Sequence, residues 1–346
     1  MVPRGGIAER KASAGFTLVE LSIGLVIVGI LSTVLMQTML GIAETQHRKI
    51  TRQRLDTAGE ALALFVAQNK RLPCPANTMG TCSNGGAGVC LETAKLGVES
   101  PPDATGLCAK SGLAGSGAGT QDYGILPFVT LGLAKADAID GWGNYLTYRV
   151  YDGDGTSNTG SLVAAPPNGG LDMTWCDPAG SSPNILPYQQ CRTQCTFQTC
   201  SRPAVFLAGK GLRVLPTYQD SAKGAGTAYT PILSDPVTLY TGAAYVLISH
   251  GKNGLGAMSG SSGIYIPTNA RSGMDELAND CSNSVVSSRN GPGGGRSSYS
   301  PPANPGYIDG TEVSQINSPN QYFDDIVRHP TLMSVAARAN LGPRSH

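Results

Sequence analysis

Gly15-Phe16-Thr17-Leu18-Val19-Glu20-Leu21 opens an apolar run that continues through Ser22-Ile23-Gly24-Leu25-Val26-Ile27-Val28 and reaches Ala43. Residues 21–43 are 23 positions without a charge. As a helix this length measures about 34 Å, enough to cross the hydrocarbon core of a bilayer. Ahead of it stand Arg4, Arg10 and Lys11 against one acid, Glu9. A secretory signal carries its small-residue cleavage site after the apolar run. Here the small residues Ala12, Ser13, Ala14 and Gly15 come before it, and the segment behind it, from Glu44 to Lys49, is polar and then basic. A plain signal anchor accounts for the run but not for Glu20. A carboxylate entering lipid costs several kcal/mol unless it has a partner. The simplest partner is a positive charge at the same depth.

This arrangement resembles the type IV prepilin family, whose signature is a short basic leader ending in Gly, then Phe-Thr-Leu-x-Glu opening a long apolar helix. The resemblance implies that a prepilin peptidase cuts between Gly15 and Phe16 and methylates the new Phe16 amine, giving N-methylphenylalanine. It implies that Glu20 neutralises the N-terminal amine of a neighbouring subunit during assembly, which supplies the missing partner. Gly29 stands where family helices often carry Gly, but Gln37 replaces the frequent Pro. The leader has three basic residues, whereas Arg48, Lys49, Arg52 and Arg54 follow the run. Counting positive charges therefore does not place the body outside; the resemblance does.

Beyond the run, Leu55, Ala58, Leu62, Phe65 and Val66 recur at helical spacing and form one apolar stripe. Cations at Lys70 and Arg71 and the proline at 73 end the pattern. The expected helix covers residues 16–70, about 80 Å. Its second half, 44–72, is the amphipathic part that lies on a sheet.

The body, residues 73–346, reads as short strands between Gly-, Pro- and Ser-rich spacers. Residues 76–120 read as one long stapled loop, and 122–133 as a turn and short helix. Strand candidates are 144–151, 203–208, 243–250 and 322–328, with weaker ones at 229–233 and 263–266. Residues 290–306 are a spacer, and 332–341 a short C-terminal helix. The expected class is α+β: a long helix packed on an antiparallel sheet with disulfide-stapled loops. Asp140-Gly141-Trp142-Gly143-Asn144 is similar to a turn of type II secretion pseudopilins. Ser249-His250-Gly251-Lys252-Asn253-Gly254 is similar to the turn that ends one of their strands. Phe323-Asp324-Asp325-Ile326-Val327 is similar to their aspartate-bearing last strand.

Only 14% of residues are charged, the net charge is +1, and Gly (45) and Pro (23) make up about a fifth of the 346 residues. A 40% hydrophobic content is enough to bury a core. The near-neutral balance offers no footprint for nucleic acid. Removing the leader, with its three bases and one acid, takes the formal charge from +1 to −1.

Nine cysteines stand at Cys74, Cys82, Cys90, Cys108, Cys176, Cys191, Cys195, Cys200 and Cys281. In Gly-rich loops of an exported body they read as disulfides. A four-thiolate zinc site from Cys176, Cys191, Cys195 and Cys200 is the less favoured reading, because its spacing departs from paired knuckles. An odd count leaves at least one cysteine free, shed or paired between chains. Cys74 is expected to pin the helix end to a loop.

Asp152-Gly153-Asp154-Gly155-Thr156-Ser157-Asn158 places oxygens at alternate positions, as calcium loops do. Asp152, Asp154 and Asn158 are candidate calcium ligands, and some pseudopilins hold calcium in a body loop. A plain Gly-rich hairpin turn explains the same residues. Asp309, Asp324 and Asp325 add ligands only if the fold brings them near. Ala208-Gly209-Lys210-Gly211 lacks the spacing of a phosphate loop. Ser249 has no nucleophile elbow, and no catalytic constellation emerges.

The expectation is therefore a structural subunit of a type II secretion pseudopilus or a type IV pilus, a minor component and not an enzyme. It would be anchored once in the inner membrane, with its body in the periplasm. Its partners would be prepilin peptidase, other pilin or pseudopilin subunits and an inner-membrane assembly platform. The alternative is a membrane-anchored binding module or adhesin; an anchored periplasmic enzyme ranks below both.

Overall fold

A computed structural model describes residues 17–76, 79–81, 89–91, 96–100, 108, 123–151, 161–164, 169–178, 202–216, 234, 242–266, 276, 279, 307–311 and 322–344. The chain divides into two compact units, Met1–Arg48 and Lys49–His346. Helix α1 spans Leu18–Asn69, 52 residues, and so matches the expected helix to within two residues at either end.

In the first unit the helix leaves its apolar side chains in the open. Leu18, Val19, Leu21, Ile23, Leu25, Val26, Ile27, Val28, Ile30 and Leu31 are each at least half exposed. The membrane-spanning reading of 16–43 gains no support from the described helix. Among the described residues no helix is long and apolar enough to cross a membrane.

In the second unit, Leu55, Ala58, Leu62 and Val66 are buried in the main core, as the stripe predicts, while Phe65 is half-buried under the Arg71 guanidinium. Lys70 ends the helix in the left-handed region at φ 56°, where Gly is the usual residue. Its ammonium is held 2.6 Å from Asp172 Oδ2. Truncating Leu62, which is fully buried, is expected to lower stability by about 2–5 kcal/mol, read as a fall in the urea midpoint of Leu62→Ala.

The sheet under this helix is built from β3 (Tyr123–Ile125), β5 (Thr147–Val150), β7 (Tyr245–Ser249) and β10 (Ile326–Arg328). Their order is β10-β7-β5-β3, all antiparallel. Every residue of β5 and β7 is buried, so the sheet is covered on both faces. Opposite residues of an antiparallel pair share a face. Tyr148 pairs with Leu247 and Val150 with Tyr245, and this is the face toward α1: Tyr148 donates to Pro73 O, and Gly59 comes close to the Tyr245 hydroxyl. On the other face Arg149 lies over the Tyr307 ring.

Smaller pairs surround this sheet. β1 (Met79–Thr81) and β2 (Val89–Leu91) form a hairpin inside the stretch expected to be only loop. β4 (Asn144–Tyr145) pairs with β8 (Met258–Ser259), and Tyr265 bridges Met258 from the weaker strand candidate. β6 (Val214–Leu215) and β9 (Tyr307–Ile308) run parallel, an exception to the antiparallel expectation.

Two further expectations are corrected. Residues 203–208 form helix α2 (Pro203–Leu207), not a strand. Pro203 at the first helical position presets the backbone and overrides the strand preference of Val and Phe. Residues 123–125 are strand β3 rather than turn: a Cβ on Gly124 would sit 2.6 Å from Ala76 O, so the missing side chain lets the two segments close. The C-terminal helix appears as α3 (Leu332–Arg338), with the Thr331 hydroxyl accepting from Ser334 N. Residues 229–233 and 290–306 lie outside the described residues.

Cys74 is bonded to Cys108, which ties the end of α1 to the following loop as expected. Cys176 is also disulfide-bonded, to a cysteine whose side chain lies outside the described ones. The side chains of Cys82, Cys90, Cys191, Cys195, Cys200 and Cys281 are not among those described.

Candidate functional site

The helix start is the first site. Gly15 and Phe16 lie outside the described residues. Glu20 Oε2 accepts hydrogen bonds from the Thr17 backbone N–H and hydroxyl, each 2.9 Å, and Glu20 N–H donates to Thr17 Oγ1 at 3.3 Å. These reciprocal bonds make a capping box, which satisfies two amides that the first turn leaves without helical partners. The Thr-x-x-Glu spacing that signals it was legible in the sequence, beside the docking role the resemblance assigned. Both partners lie downstream of the Gly15–Phe16 bond, so cleavage there leaves the cap intact. The carboxylate is exposed and stands at the positive end of the helix dipole.

The second site gathers the three body turns. Asp140 is buried; its Oδ1 accepts from Trp142 N and Asn144 N, and its Oδ2 from the Ser249 hydroxyl at 2.7 Å. Burial pushes the Asp140 carboxyl above its usual range, against those hydrogen bonds. The helix grips the same turn: Arg54 donates to Ile139 O and Asp140 O, and Gly141 N donates to Thr51 Oγ1. Asp324 Oδ2 accepts from Lys252 N (2.8 Å), Asn253 N (3.2 Å) and the Tyr322 hydroxyl (2.8 Å). Gly251 is required in this turn. Its φ is 58°, and a Cβ there would sit 2.5 Å from the Asp324 carboxyl carbon.

Around Asp324 the chain collects acids. Glu276, Asp324 and Asp325 are all buried, and one carboxylate oxygen from each lies within 4.8 Å of the others. Asp324 Oδ1 is buried with no hydrogen-bond partner. Glu276 Oε1 accepts from Asn253 Nδ2 at 2.7 Å, and Asp325 Oδ2 accepts from Asn279 Nδ2 at 2.9 Å. His250 Nδ1 stands 3.8 Å from Asp325 Oδ1, and its Nε2 is 3.0 Å from the Thr147 hydroxyl. Buried carboxylates are normally paired or bound to a metal. An all-carboxylate set with an unsatisfied buried oxygen fits a hard cation that takes oxygen ligands.

The sequence-predicted ligands divide accordingly. Asp152, Asp154 and Asn158 lie outside the described residues. Asp324 and Asp325 enter the cluster, whereas Asp309 is 3.0 Å from His329 Nε2 instead. Sequence reasoning missed Glu276 and Asn279, for which no local motif exists. Lys210 is buried against the Phe206 ring, 3.5 Å from its centroid.

Residues 10–36 match the family model described as the prokaryotic N-terminal methylation motif, the type IV prepilin-like signal. The chain thus carries a type IV prepilin-like signal at its N-terminus. No curated protein and no solved structure matches the chain.

Proposed function

We propose that this protein is a structural subunit of a type II secretion pseudopilus or a type IV pilus, a minor component assembled through its N-terminal helix. The observation that carries this reading is the methylation motif over residues 10–36, continuous with a helix whose apolar side chains are exposed. An exposed apolar surface of this extent calls for lipid or neighbouring subunits. Prepilin peptidase cuts after Gly15 and methylates Phe16. Before assembly the helix anchors the chain once in the bacterial inner membrane, with the body in the periplasm, where an assembly platform takes it up. Glu20 steers docking by pairing with the Phe16 amine of another subunit. The body turns around Asp140, Ser249 and Asp324 favour the pseudopilin side. Glu276, Asp324 and Asp325 would hold calcium, whose charge there offsets three buried carboxylates; its role is structural.

Mass spectrometry of the mature N-terminus tests the processing: a methylated Phe16 is expected, and an intact Met1 would overturn it. For Glu20, the capping box complicates an alanine variant, because Glu20→Ala removes both charge and cap. Glu20→Gln keeps the cap, since Gln also serves at that position, and removes only the charge. Both variants are expected to reach the membrane fraction normally and to lose filament incorporation at least about tenfold, the loss that about 1.4 kcal/mol of docking energy would cause. Normal incorporation of Glu20→Gln would sink the charge-pairing role.

A further inference from the structure

Lys49 and Arg52 are exposed on α1 and three apart, so they lie on one side of the helix. Neither makes an ion pair or a hydrogen bond among the described residues. The cations around them do. Arg48 is 3.1 Å from Glu44, Arg328 is 3.3 Å from Asp56, and Arg54 is tied to the Asp140 turn. The nearest carboxylates along the helix, Glu44 and Asp56, are thus already engaged. Ile50, between the two free cations, is 40% exposed.

Their place along the chain says what they face. The run without charge ends at Ala43, so Lys49 and Arg52 stand six and nine positions beyond it, about 9 and 14 Å of helix. The headgroup layer of a bilayer is about 5–8 Å thick on either side of the hydrocarbon core. Every Cα–Cβ bond of a helix tilts toward its N-terminus. The long stems of Lys49 and Arg52 therefore lean back toward that layer, where such side chains hold their charge at the interface. Bases behind an apolar run also oppose placing the body outside, which calls for a negative counterpart on that side. We propose that Lys49 and Arg52, with Ile50 between them, form a docking surface for anionic phospholipid headgroups, which holds this part of the helix at the membrane surface before assembly. This rests on reading the apolar run as a membrane anchor. A phosphodiester headgroup fits better than an acidic side chain of a neighbouring subunit, because the two stems lean toward the lipid. Each base near an anionic surface contributes about fivefold in affinity, and salt screens it.

The test uses the full chain in vesicles of phosphatidylcholine alone or with about one-third phosphatidylglycerol. Acetic anhydride transfers one acetyl group to a free lysine amine, releasing acetate and a proton, and peptide mass spectrometry reads each lysine separately. Acetylation of Lys49 is expected to be at least about fivefold slower in the phosphatidylglycerol vesicles. Lys252, exposed on a body turn, is expected to react equally in both. Sodium chloride at about 0.5 M is expected to remove the protection. Arg52→Gln, a change at an exposed position with folding checked by far-UV circular dichroism, is expected to lose much of it. A full chain that an alkaline wash strips from the vesicles would overturn the anchor reading and the inference with it. A retained chain whose Lys49 reacts equally in both vesicles would overturn the inference alone, as would undiminished protection in Arg52→Gln. Protection that appears only in assembled filaments would overturn it in favour of an acidic neighbouring subunit.

Discussion

Stability is expected to rise as pH rises from about 7 toward 10, and to stop rising when Lys210 is replaced by Met. Burial holds the Lys210 ammonium down at about 7, against 10.5 in its ordinary state. Between those values the unfolded chain binds the proton and the folded chain does not, so raising the pH favours folding. Below about 7 both states are charged, and the folded state carries the whole desolvation penalty. Each tenfold change in proton affinity is about 1.4 kcal/mol, so the cost at neutral pH is on the order of 3–5 kcal/mol. The Phe206 ring beneath the ammonium returns about 1–2 kcal/mol at most. Above pH 10 the trend reverses. Burial raises the phenols of Tyr148 and Tyr245, so the unfolded state loses those protons first. The measurement is the urea midpoint at pH 7, 8, 9 and 10, read by the fluorescence of Trp142 and Trp175. A midpoint that does not move with pH in the unaltered chain would refute the assignment to Lys210.

Breaking the Cys74–Cys108 bond is the other large effect. The two cysteines are 34 positions apart and both buried. Closing a loop of that length removes chain entropy from the unfolded state equivalent to about 4 kcal/mol. That is a large share of the 5–15 kcal/mol that typical domains possess. The bond also closes on the end of α1. Arg71, just past the end of α1, makes a two-pronged pair with Glu99, and Cys74 N–H donates to Glu99 Oε2. The double variant Cys74→Ser/Cys108→Ser is therefore expected to unfold at a lower urea midpoint. It is also expected to show faster amide exchange over residues 55–69 than in the rest of α1. A midpoint within error of the unaltered protein, measured under non-reducing conditions, would contradict this account.

At Glu20 an observed capping role stands beside the proposed docking role. Its carboxylate closes the capping box of α1 through Oε2 and is exposed to solvent while doing so. The proposed docking role concerns its charge and the capping role its oxygen geometry, which is why the amide variant separates them.

How much was legible in the sequence follows from how local each signal is. The helix from Leu18 to Asn69 joins a continuous apolar run to a 3.6-residue stripe and ends at ordinary stop signals, and these sit within a few residues of the features they specify. Strands β5 and β7 are rich in β-branched and aromatic residues, and α3 begins at a Thr cap. The methylation motif is likewise contiguous, so Gly15, Phe16 and Glu20 were named without any fold. The three body turns could be recognised singly, but not the hydrogen bond that joins Asp140 to Ser249 across 109 positions.

What only the tertiary structure decided depends on contacts that no neighbouring residues announce. The strand preference of Val205 and Phe206 yielded to the proline before them and to packing. β3 formed because Gly124 lets Ala76 close on it, and the parallel β6–β9 pair joins segments some ninety residues apart in the chain. Lys210 reads in the sequence as an ordinary loop lysine, and its depressed proton affinity comes from burial alone. Asp324 and Asp325 are visible as a pair of acids, but Glu276 stands 48 positions before Asp324 in a stretch without pattern. Sequence by itself determined the pilin-like start, the long helix and the α+β class, because periodicity and capping act over one or two turns. The fold decided which buried charges meet, because desolvation and Coulomb energies depend on distance in space and not on distance along the chain.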